Sequence, residues 1–575
     1  MNYPLFEAKK EISSLLKNAL TKLKYKTNIK LEIPPNEMGD FAFTCFSLAK
    51  IAKKAPNKIA EEITKEIKGS KWIERVEAQG AYVNFFINAE ELTSLTLKSV
   101  LEKKDEYGFL EKKNKKVIVE HTSANPNGPL HVGRARNPII GDTTVRVFKA
   151  AGYNVESQFY LDDMGKQVAI LAWGINNLKS KDVPKSERNK PDHNFVGYYQ
   201  VASKKMEDDW DVDNSIGEIV KKSEEGDSKI IKMIHEAYAP VLKGMNESLS
   251  RINIHVDNYI PESNFVKDKS VDYVVEKLKK SNLCDEEKGA FYLDLESFGI
   301  KGKSTKFFFL RKDGTTLYAT RDIAYHIWKA KQADMLVNVL GEDHKLESKQ
   351  VEICLNLLKE KTIPKVIFYS FVSLPEGKMS TRRGRAVYLD DLIDECVKRA
   401  YDEVKKRRGK ELSEKKMKEI AEIVGIGALR YNIIKVQPEK GINFKWEEAL
   451  NFEGDAAPFI QYAHARAWSI LSKNKENIKK FDTKNLKHKS EMNLVKKLSE
   501  FPMVIDESFS GFKPHNITTY LFNVASLFNQ FYRDCPVLPE ENIHIRKARL
   551  NLVDATRIIL RNGLDVLGIV APEEM

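Results

Sequence analysis

Two short stretches of the chain hold the residue types that phosphate chemistry needs. Residues 121–134 read HTSANPNGPLHVGR, where the turn formers Asn125, Pro126, Asn127 and Gly128 separate an apolar run from a helical pattern opening on His131-Val132-Gly133-Arg134. A strand followed by a helix start offers an anion unpaired backbone N–H groups and the positive end of a helix dipole. There a histidine donates to a phosphate oxygen, Gly133 lets a base or ribose lie against bare backbone, and Arg134 adds a fixed charge. Pro138 falls in the first turns, where it costs little before the fifth helical position and kinks the helix after it. Residues 375–385 read PEGKMSTRRGR, directly after the apolar run VIFYSFV. Lys378, Arg382, Arg383 and Arg385 put four cations within eight residues, enough to surround a triphosphate. This is not a Walker A loop, because no glycine stands five residues before Gly377. Taken alone, each stretch also reads as an ordinary turn, with His131 a helix cap and the basic loop a solvated one.

Both stretches need elements to hold them. From about 117 to 390, short β-branched or aromatic runs (VESQFYL, KFFFL, MLVNVL, VIFYSFV) alternate with helical stretches, the pattern of βαβ units and a mostly parallel sheet. Residues 178–230 are charged and centred on Trp210, and read as an insertion. The first 110 residues mix an amphipathic helix with the apolar run GAYVNFFI, and the lysine-rich EKKNKK marks a boundary. Beyond about 391, apolar residues recur at three- and four-residue spacing and strand signals nearly vanish. We therefore expect an N-terminal α+β domain over 1–110 and an α/β Rossmann-like catalytic domain with a parallel sheet over 111–390, carrying an insertion at about 178–230. A helical connecting region over 391–450 and an all-α helical bundle over 451–575 complete the expectation.

Composition sets the partners and the compartment. The chain has 575 residues, 42% of them hydrophobic, and 94 Lys+Arg against 82 Asp+Glu give a net charge of +12. That excess suits a partner rich in phosphates, although an AT-rich genome that favours lysine produces the same balance. Five scattered cysteines, with no C-x-x-C pair, argue against a disulfide framework and a structural zinc site. A reducing cytoplasm follows. MNYPLFEAKKEISSLL lacks the apolar core of a signal peptide, and no uncharged run approaches 18 residues, so no membrane is expected.

EHTSANPNGPLHVGRARNPIIGD, LDDMGKQV, TLYATRDIAYH, VLGEDH, KMSTRRG and QYAHARAWSIL follow one another along the chain. H-x-G-x near the first strand and K-M-S-x-R near the last resemble the class I aminoacyl-tRNA synthetases. The ordered set is most similar to the arginyl-tRNA synthetase family, in its archaeal-type branch. GDFAF and GAYVNFFI extend the resemblance to the N-terminal domain, and VLGIVAPEEM to the closing residues. The resemblance implies a ligase that activates L-arginine with ATP and Mg2+, then transfers it to the 3′ end of tRNA(Arg). ATP falls to the signature Ala124-Asn125-Pro126-Asn127-Gly128-Pro129-Leu130-His131-Val132-Gly133-Arg134. The implied catalytic set is His131, Gly133, Arg134, Lys378, Met379, Ser380 and Arg382, with no protein-bound metal. Glu120 and Asn125 hold the α-amino end of arginine, Tyr318 and Asp322 the guanidinium, and His344 helps to seal the pocket. The first hundred residues meet the outer corner of the tRNA. The helical region from about 450 binds the anticodon, with Tyr462, Trp468, Phe528 and Tyr532 as candidate stacking surfaces. A monomer in the cytoplasm is expected.

Three positions depart from the family pattern. Arg134 stands where a histidine is usual, Thr381 replaces the loop's second lysine, and Gly128 replaces a lysine that many members carry. Lys378 and Arg382 are the candidates for the principal cation of adenylate formation. Tyr318 and Asp322, four apart, share a face if a helix starts there. The plainer alternative pairs Asp322 with Arg321. A synthetase for glutamate would want cations where Asp322 and Glu120 stand, and one for cysteine would want zinc thiolates. A catalytically retired paralogue that only binds tRNA or senses arginine is the rival that the three departures keep alive.

Overall fold

The computed structural model describes residues 3–35, 38–301, 305–373, 387–478 and 480–575. Lys378, Met379, Ser380, Thr381 and Arg382 of the basic loop lie outside these residues.

The first unit comprises α1 (Pro4–Lys22), β1 (Leu31–Glu32), β2 (Phe41–Thr44), α2 (Phe46–Ala52), α3 (Pro56–Glu66), β3 (Ile73–Gln79), β4 (Tyr82–Ile87) and α4 (Ala89–Lys103). Its strands form an antiparallel sheet in the order β1-β2-β4-β3. Ala8, Ile12, Leu16 and Ala19 repeat at helical spacing on α1 and are buried against that sheet with Phe43, Ile59 and Val83.

The α/β unit runs β5 (Lys116–Glu120), α5 (Arg136–Ala150), β6 (Asn154–Leu161), α6 (Lys166–Asn177), α7 (Pro191–Asp208), α8 (Trp210–Glu224), α9 (Ser228–Arg251) and β7 (Asn258–Pro261). It continues through α10 (Ser263–Lys267), α11 (Ser270–Lys279), β8 (Cys284–Glu287), β9 (Ala290–Asp294), β10 (Lys306–Leu310), α12 (Tyr318–Ala330), β11 (Met335–Gly341), α13 (Lys345–Leu357), β12 (Lys365–Tyr369) and β13 (Val372–Ser373). Five parallel strands stand in the order β12-β11-β5-β6-β7. The chain leaves β5 toward β6 and β7, then returns to the other side of β5 as β11. The crevice beyond the carboxyl ends of β5 and β11 is thus a topological switch point, where open α/β sheets bind ligands.

One strand expectation fails. KFFFL does not join the parallel sheet; as β10 it belongs to a separate antiparallel sheet, β10-β9-β8. The short β8–β9 connection through Lys288 and Gly289, both at positive φ, allows only antiparallel pairing. Phe307 and Phe309 are buried while Phe308 is less so, the alternation of a sheet covered on one face.

Beyond β13 the regular elements among the described residues are helical apart from β14 (Ile442–Asn443), which pairs with β13. The helices are α14 (Leu389–Arg408), α15 (Glu414–Ile434), α16 (Trp446–Ala449), α17 (Ala457–Lys473), α18 (Lys489–Ser499), α19 (Phe501–Ser510), α20 (His515–Asp534) and α21 (Ile543–Val566). Val117 of the sheet, Leu429 of α15 and Leu560 of α21 share one continuous core. At the joint, the fully buried Arg430 donates to the carbonyls of Ile252 (2.7 Å) and Leu567 (2.8 Å) and to Asp142 Oδ2 of α5 (2.5 Å). Among the described residues no helix is long and apolar enough to cross a membrane.

Candidate active site

The turn after β5 is built under constraint. Thr122 (φ 70°) and Ser123 (φ 38°) are left-handed, a conformation that costs a β-branched residue and persists only where the surroundings enforce it. Asn137 of α5 supplies the enforcement. Its Oδ1 accepts the Thr122 N–H at 2.6 Å, and its Nδ2 donates to the Val339 carbonyl at 2.9 Å. Gly141 lets α5 cross this turn, since a Cβ there would lie 2.3 Å from the His121 side chain.

The helix after the signature begins later than the sequence suggests. Val132–Arg134 is one 3₁₀ turn, and α5 starts at Arg136, so Pro138 is its third residue, where no intrahelical N–H bond is lost. His131 is the cap. Its Nδ1 accepts the Gly133 N–H at 3.1 Å, which puts the ring proton on Nε2, facing outward as a donor. Burial, and then the Arg134 guanidinium, push its pKa below the ordinary histidine value, so the ring is neutral at pH 7. The expected phosphate donor and the plain helix cap are one and the same residue.

The segment that follows the basic loop grips this turn. Val132 N–H donates to the Val387 carbonyl (3.0 Å), Leu389 N–H donates to the Leu130 carbonyl (2.7 Å), and His131 faces Tyr388 in an antiparallel bridge. On the loop's near side, fully buried Arg136 donates to the carbonyls of Ser370 (2.7 Å), Gln437 (3.0 Å) and Lys440 (2.6 Å). Asp390, at the start of α14, meets Lys190 (2.9 Å), His193 (2.8 Å) and Ser248 (3.0 Å) in a buried cluster with Asp192. Asp192, His193 and Asp390 have metal-ligand spacing. The Lys190 ammonium, 3.0 Å from Asp192 as well, already supplies the cation. Gly128 packs against the same region: a Cβ there would lie 2.6 Å from Val196 Cγ2 of α7. A lysine at 128 would therefore collide with α7.

Tyr318 is the first residue of α12, so Tyr318 and Asp322 do share a helical face. Asp322 is not the partner of Arg321. Arg321 turns inward to Glu262 (2.6 Å) and Glu224 (3.2 Å), while Asp322 meets His326 Nδ1 at 3.1 Å. Burial raises the Asp322 pKa, but the fields of His326, Lys329 and His344 outweigh it and hold the carboxyl below its ordinary value. His344 ends a 3₁₀ turn beyond β11, is held by Glu347 at 3.1 Å, and feels the field of Arg134. Asp322 thus feels the field of His344, and Arg134 acts on both His344 and His131. Glu120, at the end of β5, is buried, with Oε2 on Lys329 Nζ (2.5 Å) and Oε1 accepting from Ser123 Oγ (3.3 Å). Asn125 is partly exposed on the same turn; Asn127 donates to Gln167 at 2.6 Å. Sequence reasoning did not single out His326, Lys329, Asn338, Arg136 or Asn137. A polar residue inside the apolar strand MLVNVL, and polar positions at four- and three-residue steps along α12 (322, 326, 329), were the available signals.

A second surface lies in the helical region. Tyr462 and Tyr532 are 42% and 44% exposed, and the Arg466 guanidinium lies over both rings at 4.7 and 5.3 Å. Tyr462 and Arg466 border a cavity of about 510 Å³ whose walls include Arg407, Phe452, Asn529 and Met575. Trp468 is partly exposed under Arg557, at 5.3 Å. Phe528 is fully buried in the core, so it offers no stacking surface; its position on α20 faces inward with Val524 and Phe531.

A parallel sheet with a histidine-capped turn at its switch point, followed by a helical bundle, is the plan of a class I aminoacyl-tRNA synthetase. Residues 96–446 match the family model described as tRNA synthetases class I (R), catalytic domain. Residues 460–575 match the DALR anticodon binding domain, and residues 9–87 the arginyl tRNA synthetase N terminal domain. The arginine–tRNA ligase of Methanocella arvoryzae is 48% identical over 92% of both chains, and that of Methanothermobacter thermautotrophicus 41% identical over 98% of this chain and 99% of its own. The arginyl-tRNA synthetase structure of Thermus thermophilus superposes with a TM-score of 0.83 at 27% identity, over 98% of this chain and 100% of that one. The chain belongs to the arginyl-tRNA synthetase family and is a ligase of that family.

Proposed function

We propose that Glu120, Asn125, Tyr318, Asp322 and His344 hold L-arginine, and that the signature 124–134 with Lys378, Met379, Ser380 and Arg382 holds MgATP. The arginine carboxylate attacks the α-phosphorus and pyrophosphate leaves, giving arginyl-adenylate. The terminal ribose hydroxyl of tRNA(Arg) then attacks the adenylate carbonyl and AMP departs. No side-chain nucleophile is needed; the work is positioning and charge stabilisation, with His131 Nε2–H and Arg134 directed at the phosphate. The observation that supports this most strongly is the Asp322 carboxylate, held below its ordinary pKa, with Tyr318 one turn away and His344 and Arg134 linking it electrostatically to the His131 turn. Tyr462, Tyr532 and Arg466 are the proposed stacking surface for unpaired anticodon bases, and the first unit the contact for the outer corner of the tRNA. The protein is proposed to act as a cytoplasmic monomer.

Asp322→Asn tests the pocket. It leaves the substrate guanidinium facing a neutral group and should cost about 2–5 kcal/mol in kcat/KM for arginine, with the KM for ATP nearly unchanged. Unchanged arginine kinetics would remove Asp322 from the site.

A further inference from the structure

The two carboxylates assigned to opposite ends of arginine are joined beneath the pocket by a continuous hydrogen-bonded chain. Lys329 Nζ, fully buried, lies 2.5 Å from Glu120 Oε2 and 3.1 Å from Asn338 Oδ1. Asn338 Nδ2 lies 2.7 Å from His326 Nε2, and His326 Nδ1 lies 2.8 Å from the Asp322 carbonyl and 3.1 Å from its carboxylate. Asn338 stands on β11 directly beside Glu120 on β5, which fixes the short end of the chain in the sheet.

The proton positions follow from the ammonium. An ammonium only donates, so Asn338 must turn its oxygen to Lys329 and its NH₂ to His326. His326 Nε2 must then accept, which leaves the ring proton on Nδ1, where it donates to Asp322. Every donor thus points away from Lys329, toward Glu120 on one side and Asp322 on the other, an ordering in which each bond polarises the next. The charges match the substrate as well. Two carboxylates and one ammonium leave the site with one net negative charge, and arginine, with two cationic ends and a carboxylate, brings one net positive. Fold stability alone gives little reason for the buried Lys329–Glu120 pair, because apolar residues of similar volume usually serve a core at least as well.

Building on the pocket reading above, we infer that Lys329, Asn338 and His326 are positioning residues for arginine recognition, fixing the Glu120 and Asp322 carboxylates as one unit. Asn338→Leu cuts the chain at its middle without touching either carboxylate. It should raise the KM for arginine about 10- to 100-fold, the usual effect of stranding buried polar partners, while the KM for ATP stays within about twofold. Because both ends loosen together, discrimination against citrulline, which lacks the guanidinium charge, and against deaminated arginine, which lacks the α-amino group, should both fall. His326→Asn keeps a donor for Asp322 near the Nδ1 position but loses the acceptor for Asn338, and should lie between wild type and Asn338→Leu. That variant gives the reading should Asn338→Leu fail to fold.

Glu120→Gln and Asp322→Asn are measured in parallel. If they raise the arginine KM while Asn338→Leu and His326→Asn do not, the chain plays no positioning role and the inference falls, with the pocket intact. If none of the four raises it, pocket and inference fall together. Equal rises in the arginine and ATP constants for Asn338→Leu would mark a general packing defect and also overturn it.

Discussion

At the residue scale, His131 combines two duties that look like alternatives. Capping through Nδ1 fixes the tautomer and leaves Nε2 a donor, which in the proposed site faces a phosphate that gains charge during adenylate formation. His131→Ala should therefore lower kcat for pyrophosphate exchange about 10²- to 10³-fold, with a much smaller change in the KM for ATP. Pre-steady-state measurement of adenylate formation distinguishes this from slow product release. A comparable rise in ATP KM would instead mean that His131 acts in ground-state binding. The geometry behind these proposed roles was partly legible in sequence. The turn formers before His131 announced a strand-to-helix site, and the spacing of Tyr318 and Asp322 announced a shared face. The partner of Asp322 was not legible, because i,i−1 and i,i+4 neighbours are both chemically plausible and only packing turned Arg321 inward to Glu262 and Glu224.

At the element scale, the turn that carries His131 is gripped by the segment starting α14, and α14 is in turn anchored by Asp390 to Lys190 and His193 at the start of α7. Lys190→Met would leave Asp192 and Asp390 buried without their cation. It should destabilise the fold by about 3–5 kcal/mol, seen as a lowered thermal midpoint. If the midpoint is unchanged, the cluster is not an anchor. The parallel strands at 117–120, 335–341 and 365–369 were readable because apolar runs covered on both faces have few alternatives. KFFFL was misplaced for the same reason: an aromatic run signals a strand but not which sheet it joins, which here the tight β8–β9 turn decides. The basic loop was readable as charge, while the cluster behind its far end was not, because Lys190, Ser248 and Asp390 are distant in sequence.

At the scale of the whole molecule, the N-terminal unit is not a detachable appendage. Leu97, Val100 and Tyr107 belong to the main core, Met503 of the bundle belongs to the N-terminal core, and Lys496 pairs with Asp40 at 2.6 Å. Deleting residues 1–110 should therefore lower the thermal midpoint of the remainder as well as weaken tRNA binding. A truncated protein that melts like the full chain would show that these contacts contribute little. Acid should loosen the molecule too. Burial pushes the pKa of His121 and of His464 down to about 4 from an ordinary 6.5. Between those values the unfolded chain takes up protons that the folded chain refuses, so stability is full above pH 6.5 and is lost as pH falls toward 4. Each histidine should account for about 2 kcal/mol at pH 5. Urea unfolding at pH 7 and pH 5 measures the loss, and equal midpoints would contradict it.

In the proposed site, the residues around β5, α12 and the His131 turn together activate arginine with ATP. Pyrophosphate exchange with each of the twenty amino acids, run with and without total tRNA, tests it most directly. Of the twenty, only arginine should drive exchange, which His131→Ala should reduce strongly and which high arginine should restore in Asp322→Asn. Exchange driven by another amino acid, or none with arginine in the presence of tRNA, would contradict it.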